Sequence, residues 1–270
     1  MNKLAVRLAL ISGLTITGLS NIFTAQANAQ TVSITVSPMV TIAPIKGAQS
    51  RSSFSVTNNG QAPIRTRIYA QDFNYDTQKG YTKIGTHANS ANPYLQFSPK
   101  ELVIAPGVTR EVRLNITIPP SKPDGEYRVA VFTEDLTERK ITDSKDKYTT
   151  TIRPQIGSIF FVSKGNISSQ LSAVSVGWNP ETNKPRLVLK NQGQKSAYSE
   201  VNWKLKQGNT EIATHSIQGI VLQAGNDRAI DLKIPTETKL APGAYTLTGD
   251  IDNKDGKTVP FSLNVNVPAK

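Results

Sequence analysis

A chain of 270 residues with 37% apolar side chains is long enough for two ordinary domains, each with a core of its own. The lack of any cysteine excludes a disulfide-stapled miniprotein and a lipid anchor carried on cysteine. The basic surplus, +11 in the whole chain, is spread as single lysines and arginines rather than as basic runs interleaved with aromatics, so nucleic acid is not an expected partner. A solvated basic surface is favoured over a site for an anionic cell-envelope polymer.

The first thirty residues have the form of an export signal. Lys3 and Arg7 make a positive start, residues 8–23 an apolar core, and Ala27-Asn28-Ala29 a small-x-small cleavage sequence. The mature chain is expected to begin near Gln30. Without Lys3 and Arg7 it holds 29 basic and 20 acidic side chains, a net +9. The apolar core is interrupted by Ser, Thr and Gly, and no later stretch approaches ~20 continuous apolar residues, so no transmembrane anchor is expected. This pattern fits a periplasmic bacterial protein, with an extracellular one as the alternative.

Residues 31–45 are β-branched and alternating, with Pro38 and Pro44 inside the run. Proline cannot donate to a ladder, so the expectation is an edge strand that bends and switches sheets. Strands over residues 50–57 and 64–73 flank Asn58-Asn59-Gly60, and the polar stretch 74–93 reads as a loop or small hairpin. Residues 134–147, with five acids and four bases, are expected to form an exposed loop, and 148–162 the last strand of the first domain. Residues 163–166 make a short connection, which places a leader at 1–29, one domain at 30–164 and a second at 165–270. In the second domain strands are expected near 171–177, 186–191, 199–207, 211–217, 220–222, 228–234, 243–251 and 258–267. Trp178 and Trp203, the only tryptophans, are expected to anchor its core.

Residues 102–135 recur in shorter form as 220–252. Each copy has a Gly turn (Gly107; Gly225), an alternating strand (Val112, Leu114, Ile116, Ile118; Ile230, Leu232, Ile234), a second turn ending in Gly (Gly125; Gly243) and a strand opening on tyrosine (Tyr127; Tyr245). The repeat extends backwards, with residues 54–68 matched by 187–201 around an Asn-x-Gly-Gln turn. Period-2 alternation buries one face of a sheet and wets the other. Short strands punctuated this often, twice over, predict an all-β chain of two consecutive immunoglobulin-like β-sandwiches.

No constellation in the sequence argues for an enzyme. Nucleophilic catalysis needs a nucleophile beside a base, and the two histidines, His87 and His215, fall in different domains. Ser144-x-x-Lys147 lies in the charged stretch without companion motifs. Asp72, Asn74 and Asp76 alternate as calcium ligands would, but Thr77 stands where that loop needs glycine and Lys83 where it needs a closing carboxylate. Asn253-Lys254-Asp255-Gly256 is better read as a hairpin turn. No metal and no cofactor is expected. What remains is binding, and strand addition to an exposed sheet edge is a general way to hold an extended peptide.

In the first domain, residues 53–60, Phe97-Ser-Pro99, residues 102–107 (Leu-Val-Ile-Ala-Pro-Gly), Arg110-Glu-Val-Arg113-Leu and Glu126-Tyr-Arg128-Val resemble the motifs of the PapD-like periplasmic chaperones of the chaperone-usher pathway. The resemblance covers roughly residues 31–164 and is only architectural beyond. It implies a non-enzymatic chaperone or assembly factor that binds an extended segment of a pilin-like or other surface subunit, with residues 31–45 and 148–162 as contact elements. In the family an arginine of the first strand and a lysine of the last strand of domain one grip a terminal carboxylate. Here those positions fall on Ile42 and about Ser158, and the donor positions on Thr149, Thr151 and Arg153, which are polar. The expected subunit-binding residues are accordingly Lys46, Thr149, Thr151, Ile152, Arg153 and Ile156, with Lys46 and Arg153 as substitute charges. Edge strands also offer a route to self-association. The alternative reading is a structural or adhesive immunoglobulin-like envelope protein without a chaperone cycle.

Overall fold

The computed structural model describes residues 34–76, 80–137, 139–142, 149–235, 238–253 and 256–269, with backbone alone at 75–76, 80, 139–142 and 149–151. The expected leader and its cleavage site therefore lie outside the described residues, as does Ser144-x-x-Lys147.

In the first half the strands are β1 (Ile34–Ser37), β2 (Val40–Pro44), β3 (Ser50–Asn58), β4 (Ile64–Asp76), β5 (Gly80–Ile84), β6 (Leu95–Ser98), β7 (Glu101–Ile104), β8 (Thr109–Ile116), β9 (Gly125–Asp135), β10 (Arg139–Thr142), β11 (Thr149–Ile152) and β12 (Gln155–Lys164). One sheet runs β1-β3-β8-β6, and the facing one runs β2-β12-β9-β4-β5 with β7 also on β4. The proline-broken opening run switches sheets as expected. Its first piece pairs antiparallel with β3, and after Pro38 the second pairs parallel with β12. Alternating residues such as Phe54, Val56, Val112, Leu114, Val129 and Phe160 fill the space between the sheets. The stretch 74–93 contains β5, folded back on the end of β4 as a hairpin.

The second half holds β13 (Leu171–Asn179), β14 (Lys184–Asn191), β15 (Ala197–Gln207), β16 (Thr210–Leu222), β17 (Asp227–Asp231), β18 (Gly243–Asn253) and β19 (Lys257–Val267). These make a β13-β14-β17 sheet facing a β16-β15-β18-β19 sheet. Trp203, Leu205, Leu187, Leu189, Leu232 and Leu247 form its core. Trp203 is fully buried, whereas Trp178 is half-buried and packs at the margin. Residues 211–217 and 220–222, expected as two strands, are one strand with register shifts against β15. Asn253 and Lys257 pair across the last hairpin, with the Gly256 amide donating to the Asn253 carbonyl.

The sequence repeat is a structural repeat. Asn58 donates from Nδ2 to the carbonyls of Ala62 (2.8 Å) and Ile104 (2.9 Å), and its Oδ1 accepts from the Gly60 amide. Asn191 makes the same three bonds, to Lys195 and Leu222 at 2.9 Å each and from Gly193. Tyr127 Oη donates to the Pro123 carbonyl at 2.8 Å and Tyr245 Oη to the Ala241 carbonyl at 2.9 Å, the corner that ties an entering strand in immunoglobulin-like sandwiches. Gly107 and Gly225 share a φ of about +70°, 70° and 71°, a conformation costly for any residue with a Cβ.

The end of the first sandwich departs from expectation. Residues 148–162 are not one strand: β11 pairs with β10 in a separate two-stranded ribbon, and β12 starts only after Pro154. Nor is 134–147 wholly a loop, since β9 continues to Asp135 and β10 occupies 139–142. Pro154 explains the break. It has no N–H for a ladder, and its carbonyl accepts from the Asp135 amide at 3.0 Å as the chain turns back onto β9.

Candidate functional site

β12 is apolar on both faces. Phe160 and Val162 enter the core between the sheets, while Ile159 and Phe161 join Phe73, Ala130 and Val221 in a separate buried cluster on the outer face. β9 lies along all of β12, from Gln155 opposite Glu134 to Lys164 opposite Gly125. β2 covers only the C-terminal part, Ile159 to Ser163. Among the described residues, 155–158 therefore have a strand on one side only.

Strand alternation decides which backbone groups are open there. The Ile159 amide donates to Met39 O at 2.8 Å and Ser163 O accepts from the Ile45 amide at 2.8 Å, so odd-numbered residues of β12 face β2. Pro154 faces β9. Gln155 and Gly157 accordingly direct both N–H and C=O out of the sheet, the arrangement that accepts an added strand.

Side chains hold that edge in place. Gln155 Oε1 accepts from Lys83 Nζ (2.7 Å) and Tyr69 Oη (3.0 Å), and Gln155 Nε2 donates to Glu134 Oε1 (3.3 Å). Lys83 Nζ also stands 4.3 Å from the centre of the Phe132 ring, which stacks on Tyr69 at 5.5 Å. Gly157 lets Phe132 lie close to the strand, since a Cβ there would come 2.9 Å from the ring and push it aside.

Where the open edge ends, a cleft begins between the two sandwiches. Its volume is about 560 Å³, with Met39, Val40 and Ile42 on one wall and Ala197, Tyr198 and Asn253 on the other, and none of its lining residues is charged. Met39 and Tyr198 are 54% and 41% exposed, unusual for such large apolar groups. Ser158 Oγ donates to Pro38 O at 3.1 Å at the cleft mouth. The two sandwiches meet through Val221, packed against the outer cluster, and through Glu126. Glu126 Oε2 accepts from the Ser196 amide at 2.6 Å and Oε1 from Ser196 Oγ at 2.5 Å, and Ser196 Oγ in turn accepts from the Ala224 amide. Burial pushes the Glu126 carboxyl up, against the pull of the two Ser196 bonds.

The expected binding residues divide into two places. Ile152 and Arg153 are exposed where β11 leads to β12, and Ile156, half-buried, packs on the first core. Thr149 and Thr151 sit in β11 opposite Thr142 and Lys140, with side chains outside the described residues. Lys46 is exposed in a tight turn whose backbone bonds to Gln49 in both directions. Pro44 is level with Ser163 in the parallel register, so Lys46 lies beyond the far end of β12, about 35–40 Å from Arg153 at the strand rise. The fold does not bring these two charges together. Gln155, Gly157, Met39, Tyr198 and Ser196 were not singled out by sequence, and Glu126 appeared there only within a motif, not as a site residue. One signal existed: Glu126 precedes Tyr127 where the second copy of the repeat has Ala244 before Tyr245.

Other candidate chemistry is accounted for. Asp72 accepts from Ser90 Oγ (2.7 Å) and the His87 amide (2.9 Å), and His87 Nδ1 accepts from the Asn89 amide (3.0 Å). Burial and the adjacent Arg128 guanidinium lower the His87 pKa. Among the described residues no group of three metal-ligating side chains converges, and no helix is long and apolar enough to cross a membrane.

No family model matches the chain, and no curated protein matches it. Solved structures do align over most of its length at low identity. A chain described as the CsuC-CsuE chaperone-tip adhesion subunit pre-assembly complex from archaic chaperone-usher Csu pili of Acinetobacter baumannii is 15% identical, with 85% of this chain and 97% of that one covered and a TM-score of 0.43. One from the Salmonella enterica SafA pilin in complex with the SafB chaperone is 10% identical, covering 85% and 95% at 0.45. The E. coli chaperone DraB is 11% identical, covering 88% and 98% at 0.42.

Proposed function

We propose that this protein is a non-enzymatic, exported, periplasmic chaperone or assembly factor that holds an extended segment of a pilin-like or other surface subunit by adding it to the open edge of β12. The observation that carries this reading is the pair of outward-facing backbone positions, Gln155 and Gly157, on a strand stiffened from behind and, among the described residues, left unpaired in front. Two added-strand hydrogen bonds at each position supply affinity with little demand on sequence. Ile152, Arg153 and Ile156 flank that edge and are proposed contacts, with Thr149 and Thr151 on the adjoining ribbon. The uncharged cleft next to it offers no cation for a carboxylate, so backbone pairing and apolar contact carry the binding. Residues 1–29 are proposed as the cleaved leader, with domains at 30–164 and 165–270, and N-terminal sequencing of the exported chain tests the first of these boundaries.

The deciding experiment is affinity capture of exported partners from the envelope fraction by tagged mature protein, comparing wild type, Gln155→Ala and Gln155→Pro. Proline removes the outward N–H without removing a bond to β9, and prolines are tolerated at edges. A small exported subunit should come down stoichiometrically with wild type, in part with Gln155→Ala, which keeps the outward N–H but loses the side-chain bonds that hold the edge, and at least about tenfold less with Gln155→Pro than with Gln155→Ala, the cost of roughly 1.4 kcal/mol. Capture of no exported protein, or equal capture by all three, removes the strand-addition reading and leaves a structural envelope protein.

A further inference from the structure

The open edge of β12 has a gap in its outer row of side chains. Gln155 and Ile159 stand in that row, and between them Gly157 contributes nothing beyond its backbone. Gly157 pairs with Phe132 of β9, and the Phe132 ring takes up the space from behind. A Cβ on Gly157 would stand 2.9 Å from Phe132 Cε1, 3.3 Å from Cζ and 3.4 Å from Cδ1. The ring therefore reaches across the glycine, and its rim, rather than a side chain of β12, borders the lane that an added strand would occupy.

The ring is fixed in that position. Tyr69 stacks on it at 5.5 Å with 20° between the planes, Lys83 Nζ stands 4.3 Å from its centre, and it packs at the margin of the outer cluster that holds Ile159. Lys83 is tied down in turn by its bonds to Gln155 Oε1 and to Tyr69 Oη at 3.1 Å. Lys83 and Tyr69 occupy the ring from behind, so the part of half-buried Phe132 left over is the rim at Gly157. Register is fixed as well. The Ile159 amide already donates to the Met39 carbonyl, which makes Gly157 the last open ladder position before β2. A residue paired with Gly157 points its side chain to the face of the missing Cβ, starting about 5 Å from it. A ring spans that distance and a short side chain does not. Aromatic rims carry the positive end of the ring quadrupole and prefer the face of a second ring, and a glycine in an edge strand leaves room for a cross-strand aromatic.

We infer that β12 selects partners whose added strand ends its ladder on an aromatic residue, set opposite Gly157 with its ring face against the rim of Phe132. The inference rests on the strand-addition reading and names the partner side chain that backbone pairing alone leaves open. Phe132 and Gly157 are then the residues that set specificity, while Gln155 supplies the ladder.

The test is titration of the mature protein, followed by the NMR shifts of β9 and β12 amides, with short acetylated and amidated peptides of alternating threonine and valine. One position is varied among tyrosine, leucine and serine. The lane admits either strand direction, so the varied residue is second from the amino end in one set and second from the carboxyl end in the other. In one of the two sets the tyrosine peptide should bind about fivefold or more tighter than the serine peptide, with leucine between them. Phe132→Leu removes the rim, and Gly157→Ala fills the gap and pushes the ring aside; each should bring the tyrosine peptide to the level of the serine peptide, whose own affinity stays within about twofold of wild type. Gln155→Pro should weaken every peptide alike. If no peptide binds, or Gln155→Pro changes nothing, the strand-addition reading falls and takes the inference with it. If Gln155→Pro weakens all of them but tyrosine binds no better than serine or leucine, strand addition stands and the inference is overturned. A tyrosine preference that survives either Phe132→Leu or Gly157→Ala overturns it too, as does an equal loss of tyrosine and serine peptides in those variants, since the ring would then support the strand without reading the partner.

Discussion

Asn58 and Asn191 show how much one side chain can organise. Each is fully buried at the end of a strand, and each answers backbone groups that would otherwise lack partners where the chain leaves its sheet, three for Asn58 and four for Asn191. An alanine in place of Asn191 leaves the carbonyls of Lys195 and Leu222 and the amides of Gly193 and Gln170 without these bonds. Buried groups left unsatisfied cost about 1–3 kcal/mol each, softened where water can enter. Asn191→Ala should therefore lower the stability of the second sandwich by about 2–4 kcal/mol, read as a fall in the urea midpoint. A change within experimental scatter would mean that the turn satisfies itself without the amide. Asn58→Ala is the matching change in the first sandwich. The two share three bonds, but Asn191 Oδ1 also accepts from the Gln170 amide at 3.0 Å, so the loss in the first sandwich should be the smaller. Both asparagines were visible in the sequence as members of repeated Asn-x-Gly-Gln turns, but the carbonyls they reach in β7 and β16 are distant in the chain. Only the closed sandwich brings them together.

At the scale of elements, the joint between β9 and the β14–β15 turn rests on Glu126. Its carboxyl is buried and its pKa raised above 4.5, so the folded state holds the proton more tightly than the unfolded chain does. The contribution to stability is full below about 4.5, the unfolded value, and is lost as the pH climbs through the raised folded value. Asp231 works the other way. Arg186 holds it down to about 2, so its contribution is present above 3.8 and is lost as the pH falls through about 2. Within pH 4–8 the two separate, because Asp231 stays ionised in the folded state throughout. Relative to Glu126→Gln, which cannot ionise, the wild type should lose stability steadily as pH rises from 4.5, and at pH 8 the variant should equal or exceed it. Urea midpoints of both proteins across that range measure the difference. A difference that does not vary with pH would show that the carboxyl titrates alike in both states.

β12 illustrates the limit of reading elements from periodicity. The run 148–162 looks continuous, since Thr and Ile favour strands on both sides of Arg153-Pro154. Pro154 demotes that run, and the chain spends the first part on a ribbon with β10 and the second on the sheet. The candidate site exists because of this division. β2 stops short of residues 155–158, and the ribbon carries the preceding strand to another partner, leaving Gln155 and Gly157 open.

Over the whole molecule, residues 32–270 form one compact unit although the strands divide into two sandwiches. Val221 is the link. It extends from the second sandwich into the cluster of Phe73, Ala130, Ile159 and Phe161 on the first. A charge placed there would be buried without a partner, at a cost of several kcal/mol. Val221→Glu should therefore separate the sandwiches rather than unfold either one. Scanning calorimetry should resolve two transitions in the variant where the wild type shows overlapping or single unfolding. A single transition in the variant, shifted to lower temperature as a whole, would mean that the sandwiches cooperate through other contacts, the Glu126–Ser196 bonds first.

The amino-acid sequence alone determined the fold class, the strand-turn-strand repeat, the sheet switch after Pro38 and the tyrosine that opens β9 and β18. These follow from local physics: period-2 alternation, glycine at positive φ, and proline's missing donor act within a few residues of one another. Tertiary structure decided the rest. It set Lys46 and Arg153 at opposite ends of β12, placed Met39 and Tyr198 across one cleft, and joined Glu126 to Ser196. Each depends on which strands become neighbours and on how far β2 runs along β12. Backbone pairing between distant segments settles both, and no local pattern of residue types records it.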